Sequence, residues 1–327
     1  MPEPLLEVAG LRVRFGSNVD AVRGISLVVN TGETHCLVGE SGCGKSVSAL
    51  AVMGLLARGA ARSADRLRFC GTDLLGLSER GLGKLRGDRM AMIFQEPMTS
   101  LNPAYTVGAQ LAEVLQRHRG ATRAQGLDRA ADLLAKVGIS NPGLRLAQFP
   151  HQLSGGLRQR VMIAMALMCD PALLIADEPT TALDVTVQAQ ILRLLQGLQR
   201  EFGLAILLIT HDLGVVARVA HRVSVMYAGE IVESASAQAL FSAPTHPYTA
   251  GLLRCVPVPG RVKRGDPLGS IPGTVPRIAP GFQGCAFRDR CDHAAPVCAE
   301  TIAVQHSGPD HSYRCRLSAG WMKAQAD

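Results

Sequence analysis

Nowhere in its 327 residues does the chain carry an uncharged apolar run approaching the roughly 20 residues that a membrane-crossing helix needs. That argues against a membrane-spanning subunit, even though 47% of the residues are hydrophobic. The opening stretch, MPEPLLEVAGLRVRF, lacks the unbroken apolar segment and small-residue cleavage site of a secretory signal, so the expectation is a cytoplasmic chain. Aromatic residues are scarce, at 4%. The formal charge of +7 is scattered instead of forming a stripe, which disfavours nucleic acid and suits nucleotides and anionic lipid headgroups. The nine cysteines include no C-x-x-C pair, and in a reducing cytosol they are not expected to form a disulfide framework. No internal repeat is found.

What is present is enough for one large domain with an appendage, or for two domains. Residues 5–38 alternate short β-rich runs with turns, and HCLVG leads directly into a Gly-rich turn followed by a helical pattern. From about Gln95 to Asp170 the apolar spacing is helical, as in VGAQLAEVLQRH and LRQRVMIAMALM. Two continuous apolar runs follow, at 172–178 and 204–212, with the helical stretch TVQAQILRLLQGLQREF between them. Unbroken apolar strands alternating with helices predict a buried parallel sheet. RVSVMYAGEIVES predicts a further strand pair, and beyond about Ser242 the texture becomes Pro- and Gly-rich.

The turn reads Gly39, Glu40, Ser41, Gly42, Cys43, Gly44, Lys45, Ser46, which fits G-x-x-x-x-G-K-[ST] between a predicted strand and helix. Glycines at such a turn let backbone N–H groups face phosphate oxygens. Lys45 is then placed for the β- and γ-phosphates and Ser46 for Mg²⁺, with the helix N-terminus aimed at the nucleotide. Cys43, close to that N-terminus, is expected to favour its thiolate and to be shielded by ATP. In the run Leu173 to Glu178 an acid pair stands at the C-terminal end of a buried strand, where ligands of open α/β sheets collect. Asp177 suits Mg²⁺ and Glu178 the activation of an attacking water.

A further stretch, Leu153, Ser154, Gly155, Gly156, Leu157, Arg158, Gln159, resembles the LSGGQ signature of ABC ATPases and precedes the acid pair. By that resemblance Gln95 in IFQEP is the Q-loop glutamine, contacting Mg²⁺ and the γ-phosphate. Ala182, Leu183 and Asp184 form the D-loop, and His211 in ITHD is the switch histidine. The catalytic set is thus Glu178, His211 and Gln95. Ser154, Gly155 and Gly156 would offer helix-terminal N–H groups to ATP held by a second subunit, which implies a dimer. Phe15 in RVRFG is the candidate for stacking on adenine, with core packing as the rival reading.

His246-Pro247-Tyr248-Thr249, then Ile271-Pro272-Gly273, then a cysteine cluster, is similar to the oligopeptide/dipeptide/nickel importer ATPases, and LSGGLRQR resembles their D-type subunit. The resemblance implies a RecA-like α/β core, an antiparallel β subdomain and a helical signature subdomain at about 96–165, all within residues 1–240. A C-terminal extension would span 241–327. It also implies ATP hydrolysis coupled to peptide import, at the cytoplasmic face of the membrane. The expected partners are a second, F-type ATPase, two permease subunits and a solute-binding protein. Import of nickel or another small solute, or a soluble non-transport ABC role, remains the alternative.

Cys285, Cys291, Cys298 and Cys315 suggest a metal centre. In the resembling importers this cluster is associated with a four-iron, four-sulfur centre; zinc and free thiols stay open, because spacing alone does not choose among soft-metal sites. Cys36, Cys70, Cys169 and Cys255 are expected to fill cores.

Overall fold

Residues 3–16, 19–95, 100–181, 184–256 and 269–321 are described by the computed structural model. In chain order the strands are β1 (Leu6–Phe15), β2 (Val19–Val29), β3 (Thr34–Val38), β4 (Ala60–Ser63), β5 (Arg66–Phe69), β6 (Thr72–Asp73), β7 (Met90–Ile93), β8 (Leu173–Asp177), β9 (Ala205–Thr210), β10 (Arg222–Tyr227), β11 (Glu230–Ser236), β12 (Gln305–Gly308) and β13 (His311–Tyr313). The chain divides into two compact units, residues 1–5, 29–33 and 76–209 in one and 6–28, 34–75 and 210–327 in the other. Among the described residues no helix is long and apolar enough to cross a membrane.

The first unit is organised by the two apolar runs. β8 pairs in parallel with β7 and with β9, Ile175 standing opposite Met92 on one side and Leu207 on the other. Every residue of β8 and β9 is buried, which is why neither alternates apolar with polar. Helix Val185–Phe202 buries Ile191, Leu192, Leu195 and Leu198, one stripe at helical spacing, and runs from an Asp184 cap to Gly203 at φ 61°. The sequence-predicted helices also form: Val107–Arg119, Arg123–Lys136 and Gly155–Ala166. The second opens with a Thr122/Gln125 capping box. A Cβ at Gly126 would stand 2.9 Å from Ala112 Cα, so glycine sets how closely the first two of these helices approach.

In the second unit β1 pairs antiparallel with β4 and β5, and β5 with β6. β3 lies parallel to β10, which turns back as β11. The end of the Pro- and Gly-rich tail continues that sheet: β13 pairs with β11, Glu233 opposite Tyr313, and β12 with β13. Too poor in apolar periodicity to build a layer of its own, the tail takes strand partners from the preceding sheet.

The tie between tail and sheet is polar. Glu233 on β11 is fully buried. Its carboxylate accepts from the Thr245 N–H at 2.7 Å, the Thr245 hydroxyl at 2.9 Å, the His246 N–H at 2.8 Å and His311 Nε2 at 2.7 Å. Burial alone would raise its pKa, but the His311 ring and the two backbone donors outweigh it and hold the carboxyl below its ordinary value. A depressed carboxyl contributes stability that is complete above the unfolded-state value, near 4.5, and is lost as pH falls through the lower folded value. Glu233→Gln is therefore expected to cost roughly 3 kcal/mol at neutral pH, since one partner of a buried charged network is removed. Thermal melts should show wild type and variant converging as the pH is taken below 4.5; a pH-independent gap would contradict the reading.

Candidate functional site

In the second unit the Gly-rich turn lies between β3 and helix Lys45–Met53. Two of its glycines are dictated by close packing. A Cβ at Gly39 would lie 2.1 Å from the Met226 carbonyl oxygen, and one at Gly44, where φ is 105°, would lie 2.5 Å from that of Ala21. Gly44 is also the helix N-cap, so the first-turn N–H groups face the turn. Lys45 is 5% exposed, and its ammonium donates to the carbonyls of Gly39 at 2.8 Å and Glu40 at 3.0 Å. The turn is thereby closed over its own lysine.

Cys43 departs from expectation. It is 1% exposed, and burial pushes its thiol up despite Lys45 Nζ at 3.8 Å. Neither a stabilised thiolate nor easy alkylation follows from that position. Of the other cysteines expected in cores, Cys36 and Cys169 are buried, whereas Cys70 is exposed, at a turn with φ 47°, and Cys255 is half-buried. Phe15 ends β1 opposite Ala60 and is half-buried. His211 is exposed, between the end of β9 and a helix, Leu213–Val219, capped by Asp212 through Gly214 N–H at 2.7 Å.

In the first unit Asp177 ends β8 and Glu178 follows it, both buried. Glu178 has φ 45°, a left-handed conformation rare for a residue with a side chain. It is held there by its N–H on the Ile209 carbonyl at 2.9 Å and by Thr181 N–H on its own carbonyl at 3.1 Å. Its side chain meets the Q-loop residue: Gln95 Nε2 donates to Glu178 Oε2 at 3.1 Å. The same oxygen accepts from the Thr181 hydroxyl at 2.8 Å. Sequence reading did not single out Thr181; its position three residues after Glu178 in DEPTT was the available signal.

Ser154 caps helix Gly155–Ala166, its hydroxyl accepting from the Leu157 N–H at 3.4 Å. Ser154 and Gly155 are exposed, Gly156 and Leu157 half-buried. The helix start thus presents the signature backbone outward, where its N–H groups can take an anion. Of the D-loop, Asp184 caps the next helix by accepting from Val187 N–H at 2.9 Å, while Ala182 and Leu183 lie outside the described residues.

The four tail cysteines line one cavity of about 240 Å³, together with His246 and Phe287. Burial pushes the Cys285 thiol up to about 11 and raises those of Cys291 and Cys315. Among the described residues no three His, Cys, Asp or Glu side chains converge closely enough to hold a single metal ion.

The ABC transporter family profile matches residues 22–181, and that of the oligopeptide/dipeptide transporter C-terminal region matches residues 232–298. The dipeptide transport ATP-binding protein DppD of Escherichia coli K12 is 50% identical over 95% of this chain and 96% of its own. Its Bacillus subtilis namesake is 48% identical over 96% and 95%. Among solved structures, cbiO1 of Clostridium perfringens, part of the ABC transporter complex cbiONQ, superposes with a TM-score of 0.65 at 27% identity, over 73% of this chain and 91% of that one. The ATP-binding cassette MJ0796 bound to ADP and Pi, in a dimeric post-hydrolysis state, gives 0.63 at 26%, over 71% and 98%. With the ATPase motifs on a matching cassette fold and the importer tail behind them, the chain belongs to the ATP-binding subunits of peptide-importing ABC transporters.

Proposed function

We propose that this subunit hydrolyses ATP with Glu178 as general base, held by Gln95 and Thr181. Lys45 binds the β- and γ-phosphates, Ser46 and Asp177 serve Mg²⁺, and His211 bridges the γ-phosphate and the base. The observation that carries this reading is the pair of donors on one Glu178 oxygen, 3.1 and 2.8 Å away. They fix the carboxylate on a strained backbone, where it can act as base toward a water. Residues 39–44 cradle the phosphates, Phe15 stacks on adenine, and Ser154, Gly155 and Gly156 contact the nucleotide of a second, F-type ATPase. Residues 1–240 form the cassette and 241–327 the extension. The subunit works peripherally at the cytoplasmic face, beneath two permease subunits supplied by a solute-binding protein.

Glu178→Gln should bind MgATP near normally while single-turnover hydrolysis falls about a hundredfold or more, the usual contribution of a positioned base. Wild-type single-turnover rates would remove Glu178 from the role.

For the tail, a four-iron, four-sulfur cluster on Cys285, Cys291, Cys298 and Cys315 is supported by their shared cavity. The cluster would supply a fixed cationic centre that keeps four buried thiols ionised and tied together. Anaerobically purified protein is expected to hold about four iron and four sulfide per chain, and Cys298→Ser to lose them while retaining ATP binding. One zinc per chain, or no metal, would overturn the assignment.

A further inference from the structure

The residue that follows the first glycine of the phosphate loop is gripped by the C-terminal tail. Glu40 donates its N–H to the Tyr248 hydroxyl at 2.9 Å, and its carboxylate meets Arg290 Nη1 at 3.0 Å. We propose that Tyr248 and Arg290 are positioning residues for ATP binding, holding the phosphate loop in its working shape from outside the cassette core.

Both are themselves immobilised. Arg290 Nε donates to the Pro272 carbonyl at 2.7 Å and Nη2 to that of Ile271 at 3.0 Å, while Nη1 also reaches the Tyr227 hydroxyl at 3.3 Å. Its side chain is 7% exposed. The Tyr248 ring is fully buried, edge-on to Tyr227 at 4.6 Å and tilted against Phe287 at 5.2 Å. Its hydroxyl is thus delivered at a fixed point. The third group of Glu40, its carbonyl, accepts from Lys45. N–H, carbonyl and carboxylate Oε2 are each engaged, while Oε1 is buried without a hydrogen-bond partner among the described residues, so Glu40 links the tail to the lysine assigned to phosphate.

The energetic argument concerns preorganisation. A loop with three glycines in eight residues loses much backbone entropy when it closes on phosphates. A loop already fixed at Glu40 loses less on binding, which appears as affinity. The brace acts on the loop assigned to phosphate binding and not on the base assigned to hydrolysis, so the chemical step should be spared.

Arg290→Ala in the full-length chain is therefore expected to raise the Kd and KM for MgATP about tenfold with kcat little changed, the signature of lost ground-state binding. Glu40→Ala should do the same, and the double variant should be no worse than either single one, because both remove one interaction. Tyr248→Phe keeps the ring packing and removes one hydroxyl; it should weaken binding severalfold. Asp310→Ala, which removes an exposed tail carboxylate paired with Arg222, should bind as wild type. Additive losses at Glu40 and Arg290, or a fall in kcat with unchanged Kd, would overturn the proposal. Should Arg290→Ala not fold, wild-type affinity in Tyr248→Phe would overturn it as well.

Discussion

The nucleotide-binding turn works only if its backbone lies against two other backbones. The carbonyls of Met226 and Ala21 leave no room for a Cβ at Gly39 or Gly44, and Gly229 N–H bonds the Cys43 carbonyl at 2.9 Å. β3 must therefore deliver the turn, and β10, parallel to it, must carry Met226 alongside. Replacing either glycine would force apart backbone atoms that no rotamer change can move. The glycines thus serve the fold itself, and the buried Lys45 is oriented by the same packing.

Much of this was legible because the signals were local. Continuous apolar runs predicted β8 and β9 with their burial, and the phosphate-loop pattern needed only its strand and helix context. Asp184, Asp212 and Ser154 are readable as helix caps from residue type and position. The acid pair was legible as chemistry, yet the left-handed backbone of Glu178 was not, because nothing in its residue type announces φ 45°. Strain at that position is tolerated because the Ile209 carbonyl and Thr181 hold it, and those partners are distant or unremarkable in sequence.

Cys43 shows how a sound local rule is overridden. A thiol beside a lysine and a helix N-terminus should ionise easily, but the packing that required glycine at position 39 also places that residue's would-be Cβ 3.0 Å from Cys43 Sγ. Burial then dominates the nearby charge. The same limitation hid the role of the tail. Its composition suggested an appendage, because low apolar periodicity gives no sign that β13 will find an edge on β11 or that Arg290 will reach back 250 positions to Glu40.

The tail is better understood through its histidine and tyrosine than through its cysteines alone. His246 and Tyr248 stand at the start of one helix, joined by the hydrogen bond from Tyr248 N–H to His246 Nδ1. From that point the ring of His246 lines the cysteine cavity, while the hydroxyl of Tyr248 reaches the phosphate loop. Glu233 fixes the same turn from beneath through the Thr245 and His246 N–H groups. One buried carboxylate thus orients a segment whose two aromatic residues face different sites. The neighbouring residues Arg290 and Cys291 repeat the arrangement, one on Glu40 and the other on the cavity wall. Rigid, fully packed links at two independent points transmit position well and permit little independent motion. The cavity and the phosphate loop therefore belong to one mechanical element of the second unit.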